Sequence, residues 1–186
     1  GAKPEYVHTL NGSGLAIGLA RQWAQENGNQ AREAGHPLAG RGVVLSGSCS
    51  QMTNRQVAHY RQIAPAREVD VARCLSTETL AAYAHELAEW VLGQESVLAP
   101  LVFATASTDA LAAIQQQYGA QKASQAVETL FSQLAARLAA EGVTRFIVAG
   151  GETSGVVTQS LGIKGFHIGP TISPGVPWVN ALDKPV

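Results

Sequence analysis

Excess charge of either sign is missing from this sequence. Thirteen Lys and Arg oppose fourteen Asp and Glu over 186 residues, a formal net charge of −1. A chain so balanced has no broad electrostatic hold on a polyanion, which excludes general DNA or RNA binding. Long hydrophobic runs are missing too. The longest mostly apolar stretch, Val97–Ala106, falls far short of the ~20 residues a membrane-spanning helix needs. No basic, apolar, small-residue segment opens the chain, so no secretory leader is expected and a cytoplasmic location is. Cysteine is scarce: Cys49 and Cys74 fit free thiols in a reducing compartment. There is no CxxC or HExxH pattern, so a zinc site has no support.

What is present is the composition of a globule, 46% hydrophobic and 15% charged, in a length suited to one domain with a sizeable core. Five short runs have β character: Val43–Ser46, Glu68–Val71, Leu101–Thr105, Arg145–Ala149 and Lys164–Ile168. Most are continuously apolar, as strands buried on both faces of a parallel sheet are. Helical spacing lies between most of them. Gly14–Asn27 aligns Leu15, Leu19 and Trp23; Ser50–Ile63 aligns Val57, Tyr60 and Ile63. Thr77–Leu92 follows an N-cap at Ser76, and Ala120–Glu141 aligns Val127, Leu130, Phe131, Leu134 and Leu138 before Gly142 as its stop. Alternating strands and helices predict an α/β fold of three layers, a mostly parallel sheet with helices on both faces.

Composition changes near Gly150. Of thirty alanines only Ala181 lies after Ala149, while residues 150–186 hold seven glycines and four prolines. So short a segment rarely forms its own core, so it reads as a loop-rich end laid against the sheet. Pro174–Trp178 reads as a turn, in which Trp178 either stacks on a base or packs its indole.

Ligands of open α/β sheets bind beyond the carboxyl ends of the strands. Three glycine- and hydroxyl-rich turns fall at or near such positions: Asn11-Gly-Ser-Gly14, Ser46-Gly-Ser-Cys-Ser50 and Gly150-Gly-Glu-Thr-Ser-Gly155. The third follows a strand and opens a helix, Thr153–Leu161. Its glycines permit close backbone approach, and N–H groups at a helix start suit phosphate oxygens. Thr153 and Ser154 add hydroxyls, and Glu152 could hold Mg²⁺ directly or through water. A plain strand-to-helix turn capped by Thr153 accounts for the same residues without a ligand. No Lys follows the glycines, and residues 150–163 hold no Lys or Arg, so this is not a Walker loop. In the second turn Ser48 or Ser50 could donate to phosphate or cap a helix. Cys49 there is either a small buried residue or, less simply, a nucleophile activated at a helix start. The first turn departs from GxGxxG, with Ile17 at the third glycine position, and is better read as a helix start capped by Ser13.

Three pieces together, Val44-Leu-Ser-Gly-Ser-Cys-Ser-Gln51, Phe146-Ile-Val-Ala-Gly-Gly-Glu-Thr-Ser-Gly155 and Pro174-Gly-Val-Pro-Trp178, resemble the C-terminal, nucleotide-binding domain of the four-carbon acid sugar kinases. The resemblance spans nearly the whole chain in the same order. It implies ATP-dependent phosphorylation of a sugar-acid hydroxyl, of 3-oxo-tetronate, threonate or erythronate type. It implies that Ser48 or Ser50, with Gly150, Gly151, Glu152 and Thr153, contact ATP or its Mg²⁺. An N-terminal domain of the same polypeptide would bind the sugar acid and carry the base, so no catalytic residue is expected in this chain. Residues 1–186 are then one nucleotide-binding domain, a C-terminal fragment of a longer two-domain kinase, inactive by itself. A Lys-Ser-Gly-Asn-Phe-Gly type segment is expected beyond Val186. Two other classes are open at this stage, a cysteine-dependent acyl or amide hydrolase using Cys49 and a non-catalytic nucleotide-sensing module.

Overall fold

The computed structural model describes residues 6–10, 41–47, 51–104, 109–163, 166–173 and 176–181. In chain order the elements are β1 (Tyr6–Leu10), β2 (Gly42–Ser46), α1 (Gln51–Tyr60), β3 (Ala66–Glu68), α2 (Thr77–Leu92) and β4 (Leu101–Phe103). There follow α3 (Asp109–Tyr118), α4 (Ala120–Ala140), β5 (Arg145–Ala149), α5 (Gly151–Ser160), β6 (Phe166–Ser173) and β7 (Val176–Ala181). The strands form one sheet in the order β3-β4-β2-β5-β1-β7-β6. The first five are mutually parallel; β7 runs antiparallel to β1, and β6 antiparallel to β7. Parallel neighbours require long crossovers, and the helices supply them. The expected α/β fold with a mostly parallel sheet is the fold observed.

Among the described residues the two faces of the sheet are covered unequally. Val43, Leu45, Val102, Phe146 and Val148 pack without solvent exposure into a core shared with α2, α4 and α5. On α4, Val127, Leu130, Phe131, Leu134 and Leu138 are all buried, at the spacing read from the sequence. Each such side chain contributes roughly 1.5–3 kcal/mol by leaving water. The opposite face carries Val44, Leu101 and Ile147, with α1 over it through Val57 and Tyr60. Tyr60 fastens α1 by donating from its hydroxyl to the Ala99 carbonyl at 2.7 Å. Val44 and Ile147 are only half-buried there. β2 and β5 therefore alternate in depth, whereas β4 is buried on both faces, as the sequence reading expected.

Element ends follow local chemistry. The Ser76 hydroxyl accepts from the Thr79 N–H at 3.4 Å and starts α2, as expected. Gly142, at φ 91°, lies just past α4 and lets the chain turn back into β5. The run Glu68–Val71 is not the strand. β3 occupies Ala66–Glu68, and the Asp70 carboxylate then accepts from Ala72 N–H and winds Val71–Cys74 into a 3₁₀ turn. Helix α1 stops at Tyr60, so Ile63 does not share its face and is 57% exposed. β4 ends at Phe103 rather than Thr105, and Thr105 lies outside the described residues, as do Lys164 and the expected helix Gly14–Asn27.

Three elements were not foreseen, β1, α3 and β7, and the end of the chain corrects the loop reading. Beyond Gly150 the chain adds α5, β6 and β7, so the last segment extends the sheet itself. Pro177 and Trp178 lie in β7, where a turn was expected. The prolines are placed where a sheet tolerates them. β6 is an edge strand with register shifts on either side of Thr171, beside Pro170, and Pro177 is the second residue of β7.

Candidate functional site

The parallel strands β2, β4 and β5 end at one edge of the sheet. Gly47 leaves β2, Ala104 leaves β4, and Gly150 leaves β5 into α5. Gly47 and Ala104 line a cavity of about 250 Å³ together with Gln115 of α3, Glu128 of α4, and Glu152 and Thr153 of α5. This is the position at which open α/β sheets bind ligands.

Helix α5 starts two residues earlier than the periodicity suggested. Gly150 is its N-cap, at φ 105° and ψ 136°, a backbone conformation open to glycine and closed to other residues. Thr153 is therefore inside the first turn and is not the cap. No side chain caps the helix among the described residues, so the N–H groups of Gly151, Glu152 and Thr153 keep the donor capacity of a helix start. The Ser154 hydroxyl turns back to the Gly150 carbonyl at 2.7 Å and is used internally. Thr153 is buried, and its hydroxyl lies against Gly47: a Cβ at Gly47 would collide with Thr153 Oγ1. The ends of β2 and β5 thus meet side by side, and any side chain at position 47 would have to displace the Thr153 hydroxyl.

Two carboxyls converge at the cavity. Glu128 has its proton affinity raised, first by burial and then by a hydrogen bond to Glu152 and the charge of that carboxylate. Carboxylates, a hydroxyl and an uncapped helix start suit a divalent cation beside phosphate oxygens. Among the described residues no basic side chain lines the cavity. Protonation of Glu128 is favoured more in the folded chain than in the unfolded one. The pair therefore supports the fold below the ordinary glutamate range and loses that support as pH rises through the elevated value. Glu128→Gln is expected to stabilise the ligand-free protein increasingly from pH 4 to pH 8, by less than about 1 kcal/mol because solvent screens the pair. Urea unfolding across that range measures it, and an equal effect at every pH would contradict the assignment.

Of the residues singled out in the sequence, Gly150, Gly151, Glu152 and Thr153 form the end of β5 and the first turn of α5, and Glu152 and Thr153 line the cavity. Ser48, Cys49 and Ser50 lie outside the described residues, directly after Gly47. Gly47, Gln115 and Glu128 were missed. Gly47 was legible as the glycine of Ser46-Gly-Ser; the other two are polar positions on helices that read as solvated faces. Cys74 is a free, buried thiol pushed up to about 12 by burial, with Asp70 adding to the shift, so it is held protonated. Among the described residues no helix is long and apolar enough to cross a membrane, and no three His, Cys, Asp or Glu residues cluster.

Fold and site define a domain of the open α/β class with a glycine-lined helix start at the carboxyl edge of its sheet. The family described as the nucleotide-binding C-terminal domain matches residues 43–186, and the chain belongs to it. It is 98% identical over 163 residues to a 3-oxo-tetronate kinase of Escherichia coli (strain K12), covering 88% of this chain and 42% of that protein. It is 77% identical over 175 residues to a 3-oxo-tetronate kinase of Salmonella typhimurium, covering 94% of this chain and 42% of that protein. A crystal structure from Salmonella typhimurium LT2, provisionally described as a tRNA synthase, superposes with a TM-score of 0.81 at 75% identity, covering 92% of this chain and 40% of that one. The chain thus spans less than half the length of the relatives it matches.

Proposed function

We propose that this chain is the ATP-holding domain of a longer two-domain kinase that phosphorylates a four-carbon sugar acid of the 3-oxo-tetronate type. The observation that carries the reading is the uncapped start of α5 at the cavity, in a chain so close to proteins named 3-oxo-tetronate kinase. In this reading the N–H groups after Gly150 receive phosphate oxygens, and Ser48 or Ser50 adds a hydroxyl from the neighbouring turn. Glu152, with Glu128 beside it, holds Mg²⁺. The metal supplies the positive charge that the loop lacks. In-line phosphoryl transfer depends on positioning and charge stabilisation, so a domain that fixes the donor can leave acceptor and base to the rest of the polypeptide. A tRNA substrate, suggested by the description of one structural relative, is disfavoured by a net charge of −1.

The test is calorimetry with MgATP. The chain is expected to bind with a dissociation constant of ~0.1–1 mM, as an incomplete site would give. A folded sample that binds nothing at several times that concentration would remove the proposal.

A further inference from the structure

The opposite edge of the sheet carries a second polar cavity. It measures about 220 Å³ and lies where β2 and β5 begin, lined by Arg41, Gly42, Gln94, Ser96, Val97 and Arg145 among others. β2 and β5 are five residues long, which puts the two edges roughly 15 Å apart. Two guanidiniums reach this cavity, and among the described residues no carboxylate lines it. Neither arginine belongs to an ion pair among the described residues.

The two arginines are held differently. Arg41 is exposed and donates from Nη1 to the Leu92 carbonyl at 2.6 Å, closing the end of α2. Arg145 lies flat over Gly42: a Cβ there would stand 3.4 Å from its Nε and Nη2. Its Nε is buried with no hydrogen-bond acceptor among the described residues. A buried cationic donor without an acceptor is costly, and an ionised acceptor relieves it most fully. The planar fork of Arg matches the oxygens of phosphate in a way an ammonium does not.

We propose that Arg41 and Arg145 form an oxyanion site of phosphate size at the amino edge of the sheet, distinct from the nucleotide site at the carboxyl edge. The anion sits between the Arg145 and Arg41 guanidiniums, with Gln94 and Ser96 as further polar neighbours. Gly42 leaves the room in which the Arg145 side chain lies. Occupancy ties together the starts of β2 and β5 and the end of α2.

The probe is inorganic phosphate, titrated to about 20 mM, twentyfold above a ~1 mM dissociation constant. The full polypeptide carrying this chain is used at constant ionic strength, with melting temperature and calorimetry as readouts. A phosphate-dependent rise in melting temperature is expected. Arg145→Gln and Arg41→Gln should each weaken phosphate about tenfold, the loss of one charge-assisted hydrogen bond. Arg145→Lys should not restore affinity. Arg41 is exposed, so its variant carries the test even where the Arg145 variants fold poorly. A response that chloride reproduces at equal ionic strength would overturn the proposal. So would a response unchanged in the Arg41 variant, since phosphate would then be binding at the nucleotide edge. No response in the full polypeptide also overturns it.

Discussion

Acceptor-dependent ADP release by the isolated 186-residue chain should stay at background, while the full polypeptide turns over with a 3-oxo-tetronate. The expected difference is the largest any experiment here would read. Holding two reactants in line supplies ~7–11 kcal/mol of barrier lowering, about 10⁵–10⁸ in rate. A domain that holds only the donor forfeits that contribution whatever its affinity for ATP. The cavity at the carboxyl edge measures about 250 Å³, less than the ~300–1,000 Å³ of a typical pocket for one drug-sized ligand. The chain also spans 42% of the length of its kinase relatives, which leaves them ample length for a second binding unit. A coupled assay with 3-oxo-tetronates, threonate and erythronate decides the matter. Acceptor-dependent turnover by this chain alone would end the proposed division of labour.

The second large effect is expected from Gly150→Ala. Gly150 stands at φ 105°, where an alanine costs ~1–3 kcal/mol of strain. The chain must either carry that strain or turn the peptide, and turning it redirects the N–H groups that open α5. Stability should fall by that amount, and MgATP affinity by about tenfold or more, since each 1.4 kcal/mol lost from phosphate contacts is a factor of ten. Gly155→Ala is the matched control. Gly155 is exposed within the same helix, and an added Cβ there meets nothing within 4 Å. Alanine in a helix is favoured over glycine by ~0.5–1 kcal/mol, so this variant should gain stability and bind MgATP unchanged. Wild-type affinity and stability in Gly150→Ala would show that the loop conformation is not needed.

The sequence disclosed the parts of the site that lie in one stretch of chain. Arg145–Ala149 reads as a strand because five residues of β and apolar character end in two glycines. The strand, the glycines and the helix after them mark a candidate site without any knowledge of the rest of the fold. Glu128 gave no such signal. It lies some two dozen positions before Glu152, on a helix whose buried stripe is Val127, Leu130 and Leu134. A polar neighbour of that stripe reads the same whether it meets water or another carboxylate. Gln115 was hidden for the same reason, and α3 as a whole escaped notice.

β7 and the second half of β6 were obscured differently. Gly169-Pro170, Pro174-Gly175 and Pro177 carry the punctuation of turns, and strand propensity depends on neighbours more than on the residues themselves. Pairing with β1 and within the β6–β7 hairpin overrides that local preference at the antiparallel end of the sheet. Composition, periodicity and turn chemistry by themselves determined an α/β fold, the long core helix α4 and the strand-glycine-helix unit at Gly150, because these depend on contacts between near neighbours in the chain. Strand order, the unequal cover of the two faces, the seating of Gly47 against Thr153, the Glu128–Glu152 pair and the gathering of Arg41 with Arg145 were decided by tertiary structure. Each needs side chains from separate elements at one point in space, and no local propensity encodes which elements meet.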